Sequence, residues 1–117
     1  MKKSIVVIAA AFFIPLSCSK SGTGGGGGGG IDCSAVASSF SANVNPIIQS
    51  SCATDASCHG AGSSNGPGPL LTYTQISNAR ISVKTSVANG TMPKNGSLST
   101  AQKNMIICWV DSGGPNN

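Results

Sequence analysis

The sequence predicts an all-α fold, confined to residues 31–117 of a 117-residue chain. Three observations carry that expectation. Ser99 is followed three residues on by Gln102, the capping-box pattern, and Met105, Ile106, Trp109 and Val110 then share one helical stripe. No stretch sustains the period-two alternation of a half-buried strand. Between the apolar stretches lie runs of Gly, Pro, Ser and Asn, which read as loops.

Each element follows in chain order. Phe40, Val44, Ile47 and Ile48 recur at helical spacing, but Pro46 stands inside the pattern. A proline in a helix interior costs about 3 kcal/mol and is tolerated only in a first turn. The expectation is therefore a short turn near 35–40 and a helix starting near Asn45, with Asn45 as its cap. Residues 57–69 read as irregular loop. A second helix starts after Thr72 or Thr74, its apolar positions Ile76, Ala79, Ile81, Val83 and Val87 giving a mixed period, and Asn89-Gly90 closes it. The third, from Ser99, stops at Gly113-Gly114-Pro115.

The first thirty residues have another character. Met1-Lys2-Lys3 precedes an apolar run from Ile5 to Leu16 and then Ser17-Cys18, the layout of a secretory signal over residues 1–17. The run is short for a membrane span; a core helix or short anchor is the alternative. The segment Ile14-Pro15-Leu16-Ser17-Cys18 resembles a bacterial lipoprotein signal, in which such a cysteine becomes acylated. It departs from the pattern in having Pro15 at the usual leucine position, with Leu16 one place late. Ordinary cleavage nearby would instead leave a soluble periplasmic protein. Residues 18–30 include the seven glycines Gly24–Gly30, a flexible tether reaching roughly 5–6 Å times the square root of its length.

Without residues 1–17, the ionic side chains are Lys20, Arg80, Lys84, Lys94 and Lys103 against Asp32, Asp55 and Asp111, a net charge of +2. No basic cluster with interleaved aromatics occurs, so nucleic acid is not implied. Glutamate is absent and histidine occurs once, which argues against a hydrolase. A folded unit this small makes a marginal core and commonly needs a disulfide, a metal or a cofactor.

The chemistry concentrates in Cys52-Ala-Thr-Asp-Ala-Ser-Cys58-His59-Gly60 and in Gly90-Thr91-Met92-Pro93. Cys-x-x-Cys-His is the signature of covalent haem attachment, but here five residues separate the cysteines. Read from the residues alone, Cys52 and Cys58 are either a haem pair or a disulfide across a short loop. His59 is either an iron ligand or an exposed loop histidine. Zinc is the weaker metal, because Cys58 and His59 are adjacent and no second close pair of ligands exists.

Together these pieces resemble a small class I cytochrome c domain of an exported lipoprotein. Asn45-Pro46-Ile47-Ile48 leads into Cys52, and Cys58-His59-Gly60 closes the motif. Gly66-Pro67-Gly68-Pro69-Leu70 is similar to the loop that follows it in the family, Gly90-Thr91-Met92-Pro93 to the distal loop, and the Trp109 helix to the last helix.

The resemblance implies one covalent haem c held by thioethers from Cys52 and Cys58, with His59 and Met92 as axial iron ligands. It implies a loop carbonyl, Pro67 or Pro69, orienting the His59 ring, and Trp109 packed near the porphyrin with its N–H within reach of a propionate; read from the residues alone, Trp109 is equally a plain core residue, and a core methionine is the alternative for Met92. It also implies first and last helices that cross, bringing Cys33 and Cys108 together as a disulfide; read from the sequence alone, four cysteines leave three pairings open. The function implied is electron transfer by a monomer, not an enzyme, anchored to a membrane through acylated Cys18. The domain would face the periplasm or the cell exterior and meet redox protein partners. The alternative is a haem-free interaction module on the same scaffold, stapled by Cys52–Cys58 and Cys33–Cys108 disulfides.

Overall fold

The computed structural model describes residues 30–117. The expected signal, the acylated Cys18 and all but the last glycine of the tether lie outside the described residues. The described chain is all-helical, without a strand. A 3-10 turn at Cys33–Ala35 is followed by a π-helical turn, Phe40–Val44, that runs directly into α1 (Asn45–Ser51). Two longer helices complete it, α2 (Tyr73–Ala88) and α3 (Thr100–Asp111). Among the described residues no helix is long and apolar enough to cross a membrane.

Pro46 explains the irregular first helix, and it corrects the expectation for Asn45. The helical path starts at Phe40 with Ser39 as its cap residue, and Asn45 is inside it in αR conformation. Its side chain accepts from Gln49 Nε2 (3.1 Å) instead of capping. The wider π-turn, in which Val44 N bonds back to Ser39 O, precedes the proline. It relieves the clash that a proline ring makes with the carbonyl four residues earlier in a regular helix.

Both later helices open on complete capping boxes, Thr72 with Gln75 and Ser99 with Gln102. Thr72 and Gln75 have the same spacing as Ser99 and Gln102, and the structure selects Thr72 over Thr74 as the start of α2. On α2, Ile76, Ala79, Val83 and Val87 are buried, whereas Ile81 is 61% exposed and does not belong to the core stripe. That outward Ile81 is what blurs the period.

α3 packs on α2 and on the Phe40–Val44 turn. Phe40 stands edge-on to Tyr73 (ring centroids 5.0 Å) and lies 5.5 Å from the Trp109 ring. Around them Val44, Ile48, Ile76 and Ile106 are fully buried. The chain beyond α3 folds back over this cluster: Asn117 Oδ1 accepts from Phe40 N (2.8 Å), and Gly114 O accepts from the Tyr73 hydroxyl (2.9 Å). A Cys33–Cys108 disulfide, Cα–Cα 5.4 Å, ties the first turn to α3.

Candidate functional site

Three segments close around two adjoining cavities. The first is the Cys52–Leu70 stretch. Leaving α1, Cys52 N and Ala53 N both bond to Ile48 O (2.9 Å each), and the five residues after Cys52 make a closed loop. His59 N returns to Cys52 O (2.9 Å), so the long spacer begins and ends at one point. Gly60 N donates to Asp55 O (2.7 Å). A Cβ at Gly60 would lie 2.7 Å from Asp55 C and O, a close approach that only glycine permits.

The second segment runs back from that loop. Leu70 N donates to His59 O (2.8 Å), and Gln49 Nε2 donates to Leu70 O (2.9 Å). The His59 ring is thereby buried, with Nδ1 3.1 Å from the Gly68 carbonyl. The expected partner was the carbonyl of Pro67 or Pro69; the structure places that of the residue between them there. A carbonyl only accepts, so Nδ1–H donates to it, and Nε2 is the ring nitrogen left without this partner.

The third segment carries Met92. Gly90, at φ +69°, ends α2 in the left-handed conformation that favours glycine. Thr91 N and Met92 N then both hook back to Ser86 O (3.0 and 3.4 Å). This sharp return sets Met92 beside Ser86 and Val87.

His59, Met92 and Cys52 line both cavities. The smaller, of 290 Å³, has an apolar floor of Leu70, Val83 and Val87, and Pro67 contributes to its wall. The larger, of 710 Å³, also takes in Cys58 and is rimmed by Ser50, Asn95 and Ser97. Its charged rim residues are Asp55 and Lys94, one of each sign. Pro69 lines neither cavity, and nor does Trp109. Trp109 is instead a fully buried core residue whose Nε1–H donates to Pro115 O (2.8 Å). Trp109 thus follows the core alternative and not the propionate contact: an indole has one donor, and this one is used by the chain itself.

Cys52 and Cys58 are both free thiols, Cys52 buried and Cys58 half-buried. No group of three or more His, Cys, Asp or Glu side chains among the described residues is placed to hold a metal ion, zinc included. Burial pushes the Cys52 thiol up from 9.0 to about 11, and the neighbouring Cys58 sulfur adds to the shift.

Because the folded value is the higher one, Cys52 contributes stability that is fully present below pH 9.0 and is lost as pH rises through about 11. Denaturant titrations of the haem-free chain across that window should show wild type losing more stability than Cys52→Ala. Equal alkaline losses would contradict a buried, neutral Cys52.

No protein-family model, curated protein or solved structure matches the chain.

Proposed function

We propose that the chain is an exported, membrane-tethered monohaem c-type cytochrome that carries electrons between redox proteins. One observation carries the reading: Cys52 and His59 from one loop and Met92 from another face common cavities, with Cys58 at the wider one. This donor set fits a haem. Two thiols would bond its two vinyl groups, and the His59 imidazole, with Nδ1 already bonded, and the Met92 thioether would hold its iron. Leu70, Val83 and Val87 offer an apolar surface for a porphyrin face.

When bound, the haem supplies a one-electron iron couple. The chain's own residues then have distinct tasks. Gly68 O holds the His59 ring in one orientation. The Ser86 carbonyl holds the Met92 backbone, and Met92 favours reduced iron through its weak sulfur donation. With His59 and Met92 holding the iron, no ligand position would be left for a substrate, so the reading is of a carrier and not of an enzyme. Its partners dock as redox proteins on the polar rim, and the domain acts as a monomer. Signal cleavage before Cys18, acylation there and the glycine tether would place the domain on a membrane facing the periplasm or the cell exterior.

Met92→Ala tests the ligand set. The oxidised wild type should show the weak thioether–iron absorption at the red end of the visible, and the variant should lack it while retaining covalent haem. An unchanged spectrum would remove Met92 from the iron.

A further inference from the structure

We infer that the five-residue spacer between the two cysteines, residues 53–57, forms a rigid loop pinned by Asp55. Asp55 is then the positioning residue that holds Cys58 in place for thioether formation. The inference rests on the haem reading for its chemistry, but its geometry stands in the chain itself.

A five-residue spacer has more freedom than a two-residue one, and each residue left loose costs conformational entropy to fix. Here the fixing is built in. Asp55 Oδ1 accepts from Ser57 N (2.8 Å), Ser57 Oγ (2.5 Å) and Cys58 N (3.2 Å). The Asp55 backbone carbonyl accepts from Cys58 N (3.1 Å) and Gly60 N (2.7 Å). On the other side of the Cys58 peptide, Cys58 O accepts from Ser63 Oγ (2.5 Å), and Ser57 O accepts from Asn65 Nδ2 (2.7 Å). Cys58 is thus gripped through both its N–H and its carbonyl. Asp55 is exposed, and its carboxyl sits below the ordinary carboxylate range chiefly because the Ser57 hydroxyl donates to it.

The step that Asp55 serves is an addition. The Cys58 S–H bond adds across a vinyl double bond, sulfur to the inner carbon and hydrogen to the terminal carbon. The π bond is consumed and no oxidant or reductant is needed. Placing the thiol is the whole contribution required of the loop, and misplacement of a reacting group by about 1 Å costs on the order of a hundredfold in rate.

The test compares Asp55→Ala with Asp55→Asn, which keeps a side-chain carbonyl acceptor, in full-length chain made with haem-maturation machinery. Asp55→Ala should yield a sizeable fraction of haem attached through Cys52 alone. That fraction is read as a shift of the pyridine haemochrome band and as a Cys58 peptide without haem by mass spectrometry. Asp55→Asn should stay close to wild type. On haem-free chain, iodoacetamide should label Cys58 several-fold faster in Asp55→Ala than in wild type. Complete double attachment in Asp55→Ala, or unchanged Cys58 labelling, would overturn the inference. If Asp55→Ala does not fold, Ser57→Ala, which removes one bond to the same carboxylate, should give the same effects in weaker form, and wild-type behaviour would overturn it. If wild type itself takes no covalent haem, the haem reading fails, while the labelling rates still decide whether Asp55 pins the loop.

Discussion

Replacing both Cys33 and Cys108 with alanine is expected to lower stability by about 4 kcal/mol. The disulfide joins residues 75 apart in sequence, so cutting it frees almost the whole domain's length of unfolded chain. Native domains hold only about 5–15 kcal/mol in total, and a domain of this size has little reserve. The loss corresponds to a fall in Tm of roughly 15–30 °C. The native side of the bond matters too, because the Cys33–Ala35 turn has no buried residue of its own and Cys108 is buried on α3. Urea unfolding of variant and wild type, compared in the same haem state, measures the difference. A loss below about 1 kcal/mol would mean that the 3-10 turn is held by something other than this bond.

Gly60→Ala is expected to have the next largest effect, about 3 kcal/mol or a Tm lower by roughly 10–20 °C. The added methyl meets the Asp55 backbone at 2.7–2.8 Å, and backbone cannot swing aside as a flexible side chain would. Relief requires opening the loop, which breaks the Gly60 N–Asp55 O bond and disturbs the His59 N–Cys52 O bond beside it. The damage therefore reaches the candidate site as well as stability: covalent haem yield should fall in parallel. Gly66→Ala is the control, since a Cβ there meets nothing within 4 Å. Thermal melts of the two variants separate them, and equal behaviour would remove the close-packed loop from the account.

The two long helices were readable in advance because their signals are local. Ser99 and Gln102 announce a cap, and Gly90 and Gly113 announce helix ends, each through backbone chemistry within four residues. The first helix starts at Asn45 with Pro46 in its first turn, as the proline rule requires. The rule, being local, does not show that the chain is already helical before it, through the wider Phe40–Val44 turn that takes the cap away from Asn45. Ile81 was counted with the core because hydrophobicity says nothing of which side of α2 faces inward.

In the site, the residue types were legible and their supporting contacts were not. Cys52, His59 and Met92 could be named from their motifs, and they line shared cavities. That Gly68, not a proline, supplies the carbonyl to His59 depends on the path of a loop no periodicity describes. Trp109 looked like a ligand contact because its indole N–H needs a partner when buried, and the chain beyond α3 provides one at Pro115. Asp55 was passed over, although Asp followed two residues later by Ser is a turn-forming pattern that pointed to an ordered spacer.

The central claim is that this domain holds haem covalently through Cys52 and Cys58. Full-length chain should be expressed with haem-maturation machinery and measured by pyridine haemochrome together with intact mass and thiol counting. The account predicts a c-type haemochrome, one haem per chain and no free thiol at Cys52 or Cys58. Absence of a covalent haem band, with Cys52 and Cys58 found joined to each other, would contradict it.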